Sequence, residues 1–582
     1  MSGRGGPRDG AASEATTLAS LGLGPALESR VLEAYGSRAL EMIRENPWRL
    51  AEEVEGIGFA TADAVATRLR LAEDTPRRLR AGVLHVLREC ADDGHVFLPY
   101  HRLAQDAQAL LQVDRRLIPP IIEAMAADGS LAIEEPPAGA PRDRAVYLPA
   151  LRAAEVGVAE GLGALLARKG ARLDAEAALR EAQSELALAL TEKQAEAVRA
   201  ALAHRVAVVT GGPGTGKTTV LRALVAVCGR CGVRALLAAP TGRAARRMSE
   251  ATGHEAGTVH RLLEYAPRLG FRRNRATPLD CDLVVVDEAS MVDTFLLHRL
   301  LQALPQEAAL LLVGDAHQLP SVGPGQVLAD IIASGRVPTV ELTEIFRQEH
   351  GSDIVAGAHR ILLGLLPATE AGLAERSLVF VEQEQPAAAA RAIVELVAER
   401  IPRRLGLDAA EGSQVLTPMN RGETGVEKLN ALLQAALNPR GAPLARQGLR
   451  IGDRVMQTRN NYEKGVFNGD VGRILAAEAG AVTVSFDGQT VDYGGNELGQ
   501  LTLAYALSVH KSQGSEYPAV IIPLLEEHAG MLQRTLLYTA VSRARRLAVI
   551  VGSRRALRRA VATAGALRRH TGLADRLRAA HA

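Results

Sequence analysis

Residues 206–218 join an apolar run to a glycine-rich loop that ends in a lysine and a threonine. The run Val206–Thr210 leads into GGPGTGKT, the pattern GxxxxGK[ST] between a predicted strand and a predicted helix. In such a loop, backbone N–H groups wrap phosphates, the lysine reaches the β and γ oxygens, and the threonine hydroxyl ligates magnesium. The sequence therefore predicts an ATP site with Thr218 as a Mg²⁺ ligand. Its residues are Gly211, Gly212, Pro213, Gly214, Thr215, Gly216, Lys217, Thr218 and Thr219.

Two acidic residues follow a second apolar run. The run Leu283–Val286 ends in Asp287 and Glu288. Carboxylates at the end of a buried strand are costly to keep unless they meet a cation. We expect Asp287 to hold the magnesium and Glu288 to polarise an attacking water, which favours hydrolysis over simple nucleotide binding.

Five further segments resemble sequence motifs of superfamily 1 helicases. They are LLAAPTGRAA at 236–245 (motif Ia), GDAHQLPSVG at 314–323 (III), LTEIFRQ at 342–348 (IV), YALSVHKSQG at 505–514 (V) and YTAVSRA at 538–544 (VI). The chain is most similar to the RecD-like helicases of the 1B branch. The resemblance extends over nearly all of it, including RENPWRL at 44–50, and so points to the stand-alone form that works outside a RecBCD complex.

This resemblance implies an activity and residue roles. The activity would be ATP-dependent unwinding of DNA with 5′–3′ polarity, on single-stranded DNA and duplex with a 5′ tail, in repair or recombination. Gln194 is similar to the glutamine that reads adenine, and Gln318 to the glutamine that couples nucleotide and DNA. Arg347 and Arg543 resemble the two charges that clasp the γ-phosphate across the cleft. The predicted catalytic residues are therefore Lys217, Asp287, Glu288, Gln318, Arg347 and Arg543.

Few aromatic residues are available for DNA binding. Only 3% of the residues are aromatic, so a long base-stacking track is not expected and contacts should go to phosphates. The net charge of +2 gives no overall attraction for a polyanion, so these contacts must be local. The predicted DNA contacts are Thr241, Arg243, His260, Thr417, Asn420, His510 and Lys511.

The segments around these residues alternate short β-rich runs with helices. This alternation occurs twice and predicts two domains, each a parallel sheet with helices on its faces. Together with the helicase resemblance, it implies an α/β multidomain protein with two RecA-like P-loop motor domains. The first motor domain is predicted at 186–345, and the second at 346–445 and 501–582. Glycine- and asparagine-punctuated strands at 446–500 predict a small inserted β-barrel. Residues 264–279 predict a β-hairpin, where relatives hold a pin at the DNA fork.

The segments before the motor predict smaller modules. Residues 1–14 read as a disordered tail. Residues 15–80 hold two Gly-x-Gly turns between helices, at Gly22–Gly24 and Gly56–Gly58, which predict tandem helix-hairpin-helix DNA binding. Residues 81–185 predict a winged-helix-like module and a helical linker. Stand-alone relatives usually carry a further small domain before the hairpins, whereas this chain starts almost at them.

Several functions are disfavoured by composition. Four cysteines are too few for a disulfide scaffold, and the CxxC at 228–231 has no second pair at zinc-ribbon spacing. No secretory h-region or apolar run near the length of a membrane span occurs. We expect a soluble, cytoplasmic protein without membrane contact, and a monomer.

Two other functions fit the same motifs. One is an ATPase that translocates on RNA, since superfamily 1B also contains RNA helicases. The other is a DNA-junction binding module whose ATPase acts only as a switch, which would turn over ATP without separating strands.

Overall fold

The computed structural model describes residues 18–135, 143–168, 175–266, 269–344, 352–369, 376–444, 448–461, 463–478, 480–486, 488–564 and 569–579. By its contacts the chain forms two compact units, Met1–Glu155 with Gly323–Gly325, and Val156–Val322 with Gln326–Ala582. The predicted tail at 1–14 lies outside the described residues. Within the described ranges, no helix is both long enough and apolar enough to cross a membrane.

The first unit begins with two turns of the same backbone geometry. Gly22 and Gly56 have φ values of +84° and +85°, a region that favours glycine. Gly24 and Gly58 then cap the next helices with extended backbone. Leu23 and Ile57, between the glycines, are buried in one core. The helices here are Pro25–Tyr35, Ala39–Glu45, Leu50–Glu53 and Phe59–Arg68.

Three helices and a small sheet complete this unit. The helices are Pro76–Asp92, Tyr100–Leu111 and Ile118–Ala127. The strands are β1 (Phe97–Pro99), β2 (Ala132–Glu134) and β3 (Ala145–Tyr147), ordered β1-β3-β2 and antiparallel. β2 and β3 coincide with two short apolar runs of the sequence, 131–133 and 145–148, which predict a hairpin of the winged-helix-like module. β1 was not predicted, because three residues are too few to show an alternating pattern. The helix Pro149–Leu166 then runs into the second unit.

The second unit opens with a six-stranded parallel sheet, ordered β11-β4-β10-β9-β5-β6. The strands of this sheet are β4 (Val206–Gly211), β5 (Ala235–Ala239), β6 (Ala256–Thr258), β9 (Leu283–Val286), β10 (Ala309–Gly314) and β11 (Thr339–Leu342). Two further strands, β7 (Tyr265–Ala266) and β8 (Gly270–Phe271), lie between β6 and β9 in sequence and form a separate pair. The helices are Ala175–Glu185, Glu192–Ala203, Lys217–Arg230, Gly242–Thr252, Val259–Leu262, Thr294–Ala303 and Val327–Ser334. β4 and β9, which lead into the predicted ATP residues, are buried along their whole length.

Strands β7 and β8 form the predicted hairpin, but a shorter one than expected. Tyr265 pairs with Phe271 and Ala266 with Gly270. Beyond β8, the predicted range 264–279 continues in turns, in which Asn274 and Thr277 exchange backbone hydrogen bonds of 3.1 and 3.2 Å. Leu269 is 77% exposed in the turn. The hairpin therefore presents an apolar side chain at its tip.

A second parallel sheet, ordered β12-β21-β20-β13-β19, follows in the same unit. The remaining strands of the chain are β12 (Leu378–Glu382), β13 (Ser413–Thr417), β14 (Arg454–Gln457), β15 (Val471–Glu478), β16 (Ala481–Phe486), β17 (Gln489–Gly494), β18 (Leu501–Leu503), β19 (Ala506–Ser508), β20 (Tyr517–Leu524) and β21 (Ala544–Gly552). The helices are Ser352–Leu362, Pro386–Glu395, Leu396–Arg400 (a π-helix), Ile401–Leu405, Val426–Leu437, Arg534–Ser542, Arg554–Ala562 and Leu573–Ala579.

Strands β14 to β18 form the inserted β-structure between β13 and β19. They make one antiparallel sheet, ordered β17-β16-β15-β14-β18. Among the described residues, no pairing between β17 and β18 closes this sheet into the predicted barrel. The predicted boundary at 500 also falls short, because β18 (Leu501–Leu503) pairs with β14.

Candidate active site

The phosphate loop borders a cavity of about 620 Å³ between the two parallel sheets. The sheet β11-β4-β10-β9-β5-β6 is called the first motor sheet, and the sheet β12-β21-β20-β13-β19 the second motor sheet. The loop leaves β4 and enters the helix Lys217–Arg230, with Gly214 and Gly216 at φ +77° and +84°. The Lys217 Nζ donates to the carbonyl oxygens of Gly211 and Gly212, at 2.6 and 2.9 Å. The lysine is therefore held at the loop where phosphates would bind. The predicted residues that line the cavity are Pro213, Gly214, Thr215, Gly216, Lys217, Thr218, Thr219, Asp287, Glu288, Gln318 and Arg543.

The two carboxylates stand at the end of β9, as their sequence position predicts. Burial, and then the neighbouring Glu288, raise the pKa of Asp287 to about 6. The Asp287 Oδ1 accepts a 2.8 Å hydrogen bond from the Glu288 backbone N–H. Glu288 has a φ of +51°, the left-handed region that is uncommon for non-glycine residues. This turn directs the chain so that both carboxylates border one cavity.

Arg543 connects the second motor sheet to the first. It is 4% exposed, and its Nη2 donates to Gln318 Oε1 at 2.7 Å. Its Nη1 donates to the Ser515 carbonyl at 3.1 Å and lies 3.9 Å from Glu288 Oε1. The structure thus brings Gln318 and Arg543, predicted from distant motifs, into direct contact at the cavity.

Asp315 anchors this contact. Its Oδ2 accepts hydrogen bonds from Gln318 Nε2 at 3.1 Å and from the Tyr538 hydroxyl at 2.6 Å. Burial, and then the adjacent Asp315, raise the pKa of Tyr538 far above its ordinary value. Asp315 and Tyr538 belong to motifs III and VI, but the sequence predicted no role for either residue. Their roles depend on a contact across 223 residues of sequence that periodicity cannot predict.

Gln194 lies beside the phosphate loop, with both ends of its amide engaged. The Gln194 Oε1 accepts from the Thr191 backbone N–H at 3.1 Å, which completes a helix capping box. Its Nε2 donates to the Thr215 carbonyl at 3.3 Å. These bonds brace the loop against the helix Glu192–Ala203, and the reading of adenine by Gln194 stays a prediction.

Two of the predicted DNA contacts near the first sheet, Thr241 and Arg243, lie at the start of the helix Gly242–Thr252, and the third, His260, lies on the helix Val259–Leu262. Thr241 caps this helix and accepts from the Ala244 N–H at 3.3 Å. Arg243 instead donates to Ser515 Oγ and the Tyr517 hydroxyl, at 3.1 and 3.3 Å. His260 packs against the rings of Tyr265 and Phe271, with centroids 5.6 and 5.7 Å away. His260 therefore supports the base of the β7–β8 hairpin.

In the second sheet, the predicted DNA contacts differ in exposure. Thr417 is fully buried, and its hydroxyl donates to the Thr424 carbonyl at 2.7 Å. This side chain has no surface in the structure for a phosphate, so we do not place it in the proposed track. Asn420 and Lys511 are exposed and His510 is half-buried. Burial lowers the pKa of His510, which favours its neutral form.

The donors at the cavity fit a magnesium ion that arrives with a nucleotide. Among the described residues, no cluster of three or more His, Cys, Asp or Glu could hold a metal alone. Magnesium in nucleotide sites takes one or two protein oxygens, with phosphates and waters completing its shell. The Thr218 hydroxyl and the half-buried Asp287 carboxylate line the same cavity and match that donor set. Arg347, the other predicted arginine, lies outside the described residues.

Comparison with known proteins places the chain in a family. Residues 11–97 match the family described as "ATP-dependent RecD2 DNA helicase HHH domain". The chain is 39% identical, over 573 residues, to a protein of Deinococcus radiodurans named "ATP-dependent RecD2 DNA helicase", and the match covers 97% of this chain and 77% of that protein. The chain belongs to the RecD2 helicase family. This confirms the resemblance drawn from the motifs.

Further matches cover the other parts of this RecD2-family chain. Residues 189–379 match an AAA domain, 429–486 a "RecD-like DNA helicase SH3 domain", and 503–551 a "UvrD-like helicase C-terminal domain". A RecBCD enzyme subunit RecD of Mycobacterium tuberculosis is 35% identical over 64% of this chain and 71% of its own. A solved Pif1 helicase from Bacteroides, in complex with ADP-AlF3 and ssDNA, is 23% identical over 63% of this chain and 92% of its own, with a TM-score of 0.41.

Proposed function

We propose that this protein is an ATP-dependent DNA helicase that moves 5′–3′ on single-stranded DNA and opens duplex with a 5′ single-stranded tail. The observation that carries the proposal is the cavity that joins the phosphate loop, Asp287 and Glu288 to Arg543 of the second motor sheet. A phosphate loop that faces two carboxylates and an arginine is the arrangement that phosphoryl transfer from ATP to water requires. The activity also suits a place in DNA repair or recombination.

The proposed chemistry assigns one step to each group at the cavity. Lys217 and the loop N–H groups would bind the phosphates, while Thr218 and Asp287 would hold Mg²⁺. When bound, the ion would neutralise charge on the β- and γ-phosphates. Glu288 orients the attacking water, and Arg543, with Arg347, stabilises the charge that develops on the γ-phosphate.

The same arrangement explains how hydrolysis would drive movement. Arg543 lies on the second sheet and the phosphate loop on the first, so an ATP γ-phosphate attracts both sides of the cleft. Hydrolysis and phosphate release remove the charge that holds the cleft closed. Each ATP cycle would then close and open the cleft once, and move the DNA contacts of the two sheets relative to each other.

Phosphate contacts suit such a motor, because they hold DNA without reading its sequence. We place the track at Thr241, Arg243, Asn420, His510 and Lys511, with His260 at the base of the pin. The β7–β8 hairpin would act as the pin that divides the strands. The tandem hairpins at 15–80 and the winged-helix-like module at 81–185 would add DNA contacts, and the inserted sheet would close into a small SH3-like barrel. We expect the protein to act as a monomer.

An RNA translocase and a DNA-junction binding switch, the two other functions that fit the motifs, predict different results in one experiment. Fluorescence-based unwinding should be measured on matched DNA and RNA duplexes with 5′ tails, together with ATP turnover. We expect ATP-dependent opening of the DNA substrate. Opening of the RNA duplex alone would favour the RNA translocase. Turnover stimulated by DNA without any strand separation would favour the junction-binding switch.

A further inference from the structure

Arg247 lies at the nucleotide cavity, although the sequence motifs gave it no role. It lies on the helix Gly242–Thr252 and lines the cavity with Lys217 and Glu288. Its Nη2 is 3.5 Å from Glu288 Oε1, and its Nη1 is 3.9 Å from Glu516 Oε1. Its Nε is buried and, in the described part of the chain, has no hydrogen-bond partner. One guanidinium therefore stands between two carboxylates.

These two carboxylates belong to different motor sheets. Glu288 follows β9 of the first sheet, and Glu516 precedes β20 of the second. Arg545, also of the second sheet, donates from its Nε to Glu516 Oε2 at 2.9 Å. Opposite charges therefore alternate across the cleft from Arg545 through Glu516 and Arg247 to Glu288. The surroundings of Glu288 depend on how closely the two sheets approach.

The helix that carries Arg247 makes a second contact with the second motor sheet, through Arg243. Arg243 precedes Arg247 by four residues, which places both side chains on one helix face. Arg243 contacts Ser515 and Tyr517, the residues on either side of Glu516. The segment 515–517 begins four residues after Lys511, which with His510 belongs to the proposed DNA track. Glu516 in this segment lines the nucleotide cavity, so the segment joins the track to the cavity along the chain.

We propose that Arg247 is a positioning residue that holds the Glu288 carboxylate for water attack and ties its position to Glu516 of the second motor sheet. This inference rests on the proposed function, in which Glu288 orients the attacking water. A misplacement of about 1 Å at a reacting group can cost about a hundredfold in rate. The planar guanidinium suits a bridge between two carboxylates, whereas a lysine is a single point charge on a flexible stem.

The test compares steady-state ATP turnover, with saturating single-stranded DNA, between the parent and variants at this bridge. We expect Arg247→Gln to lower kcat by about tenfold to a hundredfold while KM for ATP stays within about twofold, because the lost interaction acts on the chemical step. Arg247→Lys should fall between this variant and the parent. Arg246→Gln, the matched control on the same helix, should equal the parent.

Glu516→Gln tests the link between the sheets. It should lower kcat less than Arg247→Gln does, and the double variant should be no slower than Arg247→Gln alone, because Glu516 acts through Arg247. Additive losses would overturn that link. If Arg247→Gln does not fold, Arg247→Lys and Glu516→Gln provide the same comparison. A rise in KM with unchanged kcat would overturn the positioning role, since Arg247 would then bind the nucleotide itself.

The activity of the parent protein distinguishes failure of this inference from failure of the proposed function. An active parent with a fully active Arg247→Gln variant overturns this inference alone. A parent without DNA-stimulated turnover overturns the proposed function, and this inference with it.

Discussion

At the scale of single residues, Lys217 provides the most direct test of the nucleotide site. Its ammonium is held by two carbonyls of the phosphate loop, away from the residues proposed to contact DNA. Replacing it with alanine should lower ATP turnover by about 100- to 1,000-fold, as loss of a charge-stabilising donor does. Binding of single-stranded DNA, followed by fluorescence anisotropy without nucleotide, should stay within about threefold of the parent.

Lys193→Ala serves as the control, since Lys193 pairs only with Glu196 on the helix surface among the contacts described. Loss of DNA binding by Lys217→Ala, or full turnover, would contradict the assignment.

His528 gives the fold a dependence on pH. Burial lowers its pKa to about 4, below the ordinary value near 6.5. Its Nδ1 accepts from the Leu525 backbone N–H at 3.3 Å, so the neutral ring carries its proton on Nε2, which lies 3.1 Å from Thr424 Oγ1. A depressed folded-state pKa contributes stability that is present above pH 6.5 and is lost as pH falls towards 4.

We therefore expect the parent to lose roughly 3 kcal/mol of unfolding free energy through His528 over that window. His528→Gln removes the titrating ring, so its stability gap from the parent should narrow between pH 7 and 4.5 in urea denaturation. A gap that stays constant over this range would rule out the effect.

A site residue could be predicted from the sequence only where a local pattern identifies it. Lys217 and Asp287 stand next to buried strands in short motifs, and the structure places both at the cavity. Thr417 also stood in a plausible pattern, yet its side chain points into the core. Arg247 and Glu516 were missed because each takes its role from the other's position across the cleft, which no local pattern records.

At the scale of elements, the β7–β8 hairpin gives the sharpest prediction. Replacing residues 267–274 by a short Gly/Ser link would remove β8 and the exposed tip residue Leu269. Strand separation should then be lost, while DNA-stimulated ATP turnover stays within severalfold of the parent, because the cavity residues are untouched. Parallel assays of unwinding and turnover on one preparation measure both, and turnover also reports that the variant has folded.

If the shortened protein unwinds at the parent's rate, the pin assignment is wrong. The inserted sheet around Asn460 to Asn468 would then become the next candidate for the wedge.

Strands with a continuous apolar run were predictable, and short strands that mix polar with apolar residues were not. The runs Val206–Val209 and Leu283–Val286, which became β4 and β9, are wholly apolar, so their positions follow from the hydrophobic pattern although β9 has only four residues. β6, β11 and β18 have three or four residues that include polar ones, and they were missed. The barrel was predicted from turn residues and strand alternation, which show that strands are present, whereas closure depends on whether β17 and β18 pair.

At the scale of the whole molecule, the order of modules was readable because each carries its own signature. Repeated Gly-x-Gly turns, the phosphate loop and the later motifs follow one another along the chain. Family models match residues 11–97, 189–379, 429–486 and 503–551, and the domain boundaries themselves stay predictions. Contacts between distant parts were not readable. The helix Leu573–Ala579 shows this, since Leu573 and Leu577 are buried in the core of the first motor sheet although they follow the second in sequence.

The central claim, a motor that moves 5′–3′ on DNA, is tested most directly by tail polarity. Duplexes of identical sequence, with a 5′ tail only, a 3′ tail only or blunt ends, should be compared for ATP-dependent strand separation under single-turnover conditions. We expect the 5′-tailed duplex to open and the other two to stay closed. Efficient opening of the 3′-tailed duplex would contradict it.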